Sequence, residues 1–245
     1  MRLWAALALM LWAAPAAAAD CYDLEYQENS YTVCQVNLTS EDLRLFLYDG
    51  EGAPWGQFRK LDQALQAQGQ QLGFAMNAGM YHQDRSPVGH YRQNGAEVMR
   101  VIPNAGPGNF GMLPNGVLCL NSGEASVIET LAYNAAQPTC RDASQSGPML
   151  VIDGKLHPRF LKDSTSRYIR NGVGVSEDGR TAYFAISNNT VTFYEFASLF
   201  RDRLKTPNAL YFDGNISRLY APDLNRHDGG FPMGPIVGTV IPMTN

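Results

Sequence analysis

The chain has 245 residues, of which 45% are apolar and 17% charged, and its formal net charge is −4. That length suits one domain with a sizeable core. A mildly acidic chain without any Lys/Arg-rich run lacks the basic face that binding to a phosphate backbone requires, so a nucleic-acid partner is excluded.

The N-terminus reads as a secretory signal peptide. Arg2 supplies the positive region, Leu3 to Ala14 the apolar stretch, and Ala17-Ala18-Ala19 a small-residue cleavage pattern ahead of Asp20. The apolar stretch is short for a bilayer span. Residues 1–19 are therefore expected to be removed, leaving 20–245 as one exported domain, periplasmic or secreted, with no membrane span after cleavage. Four cysteines remain: Cys21, Cys34, Cys119 and Cys140. An even number in an exported chain implies two disulfides, and the pairs Cys21–Cys34 and Cys119–Cys140 are favoured because each closes a short loop.

Strand patterns dominate the rest. Leu43-Arg44-Leu45-Phe46-Leu47 alternates with period two. Leu61, Ala64, Leu65, Gln68 and Leu72 predict a helix, which leads into the apolar run "QLGFAMNAG". Asn115-Gly116, Asp153-Gly154 and Asp178-Gly179 each stand between apolar runs and predict three hairpin turns. Phe193, Phe196, Ala197, Phe200 and Leu204 predict a second helix, stopped near Pro207, which leads into "NALYFDG". The expected fold class is α+β: a single domain with a mixed β-sheet, hairpins and two main helices. In both helix-to-strand passages the strand ends in a polar residue near glycine, Asn77-Ala78-Gly79 and Asp213-Gly214. The carboxyl end of a buried strand is where α/β proteins often place ligands, although an Asx turn is the plainer explanation of either one.

Several chemistries are absent. There is no G-x-S-x-G nucleophile elbow, no H-E-x-x-H zinc motif and no phosphate-binding P-loop. What remains is a set of polar side chains in Gly/Pro-rich segments. "NAGMYHQDRSPVG" carries Asn77, Tyr81, His82 and Asp84; "GPGNFG" carries Asn109; "SQSGPMLV" carries Ser146 and Gly147. "SRYIRNGVGVS" carries Arg167, Arg170 and Asn171, and "YFDGNISRLY" carries Asp213 and Ser217. Successive backbone N–H groups in a Gly-rich loop can cradle an anion, an arginine fork can grip a phosphate, and a histidine titrates near neutrality. Each has a structural alternative: a surface loop, an ion pair, a satisfied histidine.

At these segments the chain resembles the phosphodiester glycosidase domain family, most closely its bacterial exported branch. The resemblance rests on "MNAGMY", "PVGHY", "GNFGMLPNGV", "SGPMLVIDGKLHP", "RNGVGVS", "FYEFASLFRD" and "NALYFDGNISRLYAP", in that order. It implies an α+β fold and a cleft lined by Asn77, Gly79, Ser146, Gly147, Arg170, Asp213 and Gly214. Where many members of the family read Asp-Gly-Gly-Gly-Ser, this chain reads Asp213-Gly214-Asn215-Ile216-Ser217.

The activity so implied is hydrolysis of a sugar–phosphate diester, with a carbohydrate or sugar phosphate as the partner. Such a reaction passes through an oxocarbenium-like state that a carboxylate must stabilise or supply with water. Asp213 is the expected carboxylate, with Asp84 or His82 as a second acid–base group. Arg170 and the backbone around Gly147 are expected on the phosphate, and Asn77 on the sugar hydroxyls. Tyr81, Asn109, Asn171 and Ser217 complete the expected substrate contacts. No cofactor is assigned; carboxylates beside a phosphate can hold Ca²⁺ or Mg²⁺, but the sequence has no D-x-[DN]-x-[DN]-G loop, so no metal ligand is named. The rival expectation is a non-catalytic envelope protein that binds a glycan or sugar phosphate and has no need of Asp213.

Overall fold

The computed structural model describes residues 19–213 and 216–243. The signal-peptide reading of 1–19 falls almost wholly outside the described residues, as does Gly214. The first third of the chain forms β1 (Asp20–Tyr26), β2 (Asn29–Asn37), β3 (Asp42–Phe46), α1 (Phe58–Gln66) and β4 (Gln70–Asn77). The middle forms β5 (Tyr91–Gln93), β6 (Ala96–Met99), β7 (Gly116–Asn121), β8 (Glu124–Glu129), α2 (Thr130–Ala136), β9 (Asp142–Ser146), β10 (Met149–Ile152) and β11 (Lys155–Leu156). The last third forms β12 (Asn171–Val175), β13 (Thr181–Ser187), α3 (Phe193–Ser198), β14 (Asn208–Tyr211), β15 (Leu219–Ala221), β16 (Arg226–His227) and β17 (Ile236–Pro242).

Three sheets result, with strand orders β1-β2-β13-β12-β14-β10-β11, β16-β15-β4-β17-β3 and β6-β5-β9-β7-β8. The α+β class is as expected. One detail differs: every pairing between named strands is antiparallel, so strand direction is not mixed.

Period-two alternation decides which layer each side chain enters. On β14 and just beyond it, Leu210 and Phe212 point into the central core with Phe74, Met76, Leu118 and Phe184. Ala209 and Tyr211 point to the opposite face, where α3 lays Phe196 and Ala197 on the sheet and the turn after it adds Phe200. Phe58, Leu61 and Leu65 of α1 cover the outer face of the second sheet against Leu72, Ala75 and Ile236.

α3 is held at its start by a capping box: the Thr192 side chain accepts from the Glu195 N–H, and Glu195 accepts from the Thr192 N–H. The predicted stripe continues through Leu199–Arg203 as a π-helical turn, with the Leu204 N–H donating to the Leu199 carbonyl at 3.0 Å. The first predicted helix is shorter than its stripe, because Gly69 adopts φ +73° and sends Leu72 into β4.

Two of the three predicted hairpins form. Asp153 and Gly154 both have positive φ, 46° and 76°, as a tight primed turn requires. The turn at Asp178-Gly179 links β12 to β13. The Asn115-Gly116 hairpin is a correction. Asn115 is fully buried, its side chain donates to the Phe110 carbonyl at 2.8 Å, and Pro114 beside it has no N–H for a ladder. Gly116 instead begins β7, and the chain reverses after Asn121, where Asn121 pairs with Glu124. Both expected disulfides are formed: Cys21–Cys34 joins opposed positions of β1 and β2, and Cys119–Cys140 joins β7 to the segment before β9.

Candidate active site

β12 and β14 are antiparallel neighbours with Gly172 opposite Tyr211. The start of one strand and the end of the other therefore meet at a single edge of the sheet. Arg170 immediately precedes β12, and Asp213 lies two residues beyond β14. Both line one cleft of about 370 Å³, together with Asn109, Tyr168, Phe193 and Tyr211.

Arg170 is the buried centre of this cleft, with only 1% of its surface exposed. Its backbone N–H donates to Ser187 Oγ at 2.9 Å. Its Nε donates to the Val191 carbonyl at 2.9 Å, and one terminal nitrogen donates to the Ser166 carbonyl at 3.1 Å. The guanidinium lies 3.6 Å from the Phe193 ring centre. Phe193 stacks on Phe160 at 4.9 Å, and Phe160 stacks on the buried His157 at 4.8 Å. This ladder of flat groups fixes the plane of the fork. Burial lowers the Arg170 pKa from its ordinary value, but a guanidinium starts so high that the group stays charged. The Tyr211 and Tyr168 phenols and the more distant Glu195 carboxylate favour its charged form. A buried charge is costly unless it is compensated, and an anion in the cleft would supply that compensation.

Asp213 acts electrostatically on two phenols. Tyr211 is fully buried, and its pKa is driven well above the usual value, first by burial, while Asp213 adds to the shift and Arg170 opposes it. Tyr81 is pushed up to about 12, first by burial and then by Asp213. Neither hydroxyl makes a hydrogen bond of good geometry.

Beneath Asp213 lies a buried amide network. Asn77 Nδ2 donates to Asn171 Oδ1 at 3.2 Å, and Asn77 Oδ1 accepts from the Arg218 N–H at 2.9 Å. Asn171 Nδ2 donates to the Asp213 carbonyl at 3.0 Å and to Ser217 Oγ at 2.7 Å. Ser217 Oγ in turn lies 3.2 Å from both the Ile169 and Asp213 carbonyl oxygens. Asn77, Asn171 and Ser217 thus tie the ends of β4, β12 and β14 together under the acidic residue.

The structure separates the sequence-predicted residues into groups. Arg170, Asn109 and Asp213 come together in the cleft. Asn77 does not take the position expected for a sugar contact: it has no exposed surface, and its amide is spent inside the protein. Ser146 is also fully buried and donates to the Phe212 carbonyl at 2.6 Å. Gly79 and Gly147 are packing positions instead of cleft walls. A Cβ on Gly79 would stand 2.5 Å from Ser144 Oγ, and one on Gly147 would stand 2.5 Å from Asn115 Cβ.

His82 and Asp84 correct the expectation of a second acid–base group in the cleft. Both are exposed on a surface turn, and neither lines the cleft. The Asp84 carboxylate accepts from the Ser86 N–H and hydroxyl at 3.0 and 2.6 Å, which hold its pKa below the ordinary value, so it is a poor proton donor. Arg167 is exposed and paired with Glu195 at 3.1 Å.

The aromatic residues of the cleft, Tyr168, Phe193 and Tyr211, escaped the sequence reading. Phe193 was legible only as part of a helical stripe. Tyr211 had a usable signal, since residues two apart on a strand share a face, and Asp213 follows it by two. Among the described residues no group of three or more His, Cys, Asp or Glu gathers where a metal ion could sit.

A family model for phosphodiester glycosidases matches residues 70–236, which include both strands that frame the cleft. The chain belongs to the phosphodiester glycosidase family. Its relatives include YigE of Escherichia coli strain K12, an uncharacterized protein 33% identical over 214 residues, covering 87% of this chain and 83% of that one. Among solved structures, the catalytic domain of zebrafish N-acetylglucosamine-1-phosphodiester alpha-N-acetylglucosaminidase aligns with a TM-score of 0.62 at 12% identity, covering 90% of this chain and 81% of that domain. A hypothetical protein from Synechocystis aligns at 0.59 and 12%, covering 90% of this chain but 61% of its own length. At such identity the likeness to these two structures is one of fold.

Proposed function

We propose that this phosphodiester glycosidase family member hydrolyses a sugar-1-phosphodiester, with the phosphate seated on Arg170 and the sugar C1 presented to Asp213. The observation that carries the reading is the buried, aromatic-clamped guanidinium of Arg170, which opens onto the cleft that Asp213 also lines. A planar fork suits the paired oxygens of a phosphate, and donors fixed in advance stabilise charge as it develops on the leaving group. Loss of a phosphate monoester from C1 requires little general-acid help, so the absence of His82 and Asp84 from the cleft does not impede the reaction. Asp213 either attacks C1 or delivers water to it. The two disulfides support an oxidising compartment outside the cytoplasm, which matches the expectation of export.

The test is a screen of sugar-1-phosphodiesters with the purified protein, with product traced in ¹⁸O-labelled water. Label in the sugar, with phosphate monoester released, supports cleavage of C1–O. Label in the phosphate would move the reaction to the P–O bond. Phosphate binding without turnover of any diester would favour the non-catalytic binding protein.

A further inference from the structure

We infer that the Tyr211 hydroxyl is a substrate contact of this cleft, donating a hydrogen bond to an oxygen of the phosphoryl group that Arg170 holds. The inference rests on the phosphate reading above and adds a residue to it. Tyr211 lines the cleft, and its ring is fixed edge-on to Phe193, with centres 4.8 Å apart and planes at 82°. The same Phe193 carries the Arg170 guanidinium on its face, and the guanidinium carbon lies 5.6 Å from the Tyr211 ring centre. The phenol and the fork are therefore held by one common ring. The hydroxyl is buried beside the Arg170 side chain and makes no hydrogen bond of good geometry. Buried polar groups are nearly always satisfied, so an orphan facing a cleft calls for an explanation. Burial and Asp213 both keep the phenol protonated, so towards an anion it can act only as a donor.

Tyr31 supplies the control. It too is fully buried with an unpartnered hydroxyl, and it packs on Phe196 in the same layer, but it does not line the cleft. The experiment compares Tyr211→Phe and Tyr31→Phe in the full chain. Calorimetric binding of inorganic phosphate, the melting temperature and turnover of an N-acetylglucosamine-1-phosphodiester are measured for each. Neither hydroxyl makes a hydrogen bond of good geometry in the free protein, so both variants should remain folded under the assay conditions. Tyr211→Phe is expected to weaken phosphate binding about tenfold, the effect of one lost hydrogen bond to a charged group, and Tyr31→Phe to leave it unchanged. An unaltered phosphate Kd in Tyr211→Phe, whatever happens to turnover, overturns the inference. A wild-type chain that binds no phosphate does so as well. If wild type binds phosphate through Tyr211 yet hydrolyses no diester, the hydrolase reading fails and this inference stands.

Discussion

The surface turn around His82 and the cleft around Arg170 are built from the same kinds of residue, yet only one of them is arranged to receive a ligand. In the turn, Asp84 has already found its donors in Ser86, and both Asp84 and His82 are open to water. In the cleft, a buried guanidinium is gripped by backbone carbonyls and an aromatic face, while the Tyr211 hydroxyl beside it makes no hydrogen bond of good geometry. A polar side chain in water is satisfied for free and has no reason to be anywhere in particular. A buried one left incompletely satisfied costs stability, and a ligand that completes it recovers that cost.

The sharpest way to break this contrast is to remove one carboxylate from each region. Asp213→Asn is expected to lower kcat by about 10² to 10⁴-fold, the range for losing a group that acts on the reacting atoms, with folding intact by circular dichroism. Asp84→Asn should leave kcat within about twofold, because an exposed turn residue away from such features changes little. Comparable losses from both substitutions would put the turn back into the mechanism.

Next in size is Arg170→Lys. The charge remains, but the planar fork and its stacking on Phe193 do not. A charge-assisted hydrogen bond contributes about 1.5–3 kcal/mol, so phosphate affinity and kcat/KM should fall about 10 to 100-fold. Wild-type phosphate affinity in this variant would mean that a bare positive charge suffices and that the aromatic ladder has no part in recognition.

Asn171→Ala probes the layer below the cleft. Its amide serves the Asp213 carbonyl, Ser217 Oγ and Asn77 at once. Truncation strands buried partners at about 1–3 kcal/mol for each group left unsatisfied, so an overall loss of about 2–3 kcal/mol is expected in chemical denaturation. Activity should fall less than in Asp213→Asn, since the network places Asp213 without touching the reacting atoms. A stable but inactive Asn171→Ala would instead assign this residue to the substrate.

Much of this arrangement was legible in the sequence, and what escaped has a physical reason. The two helix-to-strand passages, two of the hairpins and both disulfides follow from local patterns: periodicity, turn residues with positive φ, and short loops between cysteines. Asn115-Gly116 misled because a turn signal describes backbone preference and does not know that the asparagine side chain is spent on Phe110. Arg170 and Asp213 were found as polar residues at strand boundaries, but their meeting depends on β12 and β14, distant in the chain, being neighbours in the sheet. Ser146 and Asn77 sit in equally suggestive motifs, yet their polar atoms face inward to carbonyls and amides. Motif position says where a side chain starts; only the tertiary register says whether it ends in a wall or in a cleft.

Glu41 separates burial from function. It lies in a groove distinct from the Arg170 cleft, with one carboxylate oxygen accepting from the Asn37 N–H at 2.6 Å and the other buried without a partner. Burial raises its pKa from the ordinary value of 4.5 to about 7. The folded protein therefore holds this proton across a pH range in which the unfolded chain has released it. The sign follows from linkage: the contribution to stability is fully present below about pH 4.5 and is lost as pH rises through about 7. Glu41→Gln keeps a neutral group with an acceptor oxygen for Asn37, so it should melt with wild type near pH 4.5 and above wild type at pH 8, with unchanged turnover. A variant less stable than wild type at pH 8 would show that Glu41 carries a useful charge there, and that the groove it borders also holds a compensating partner.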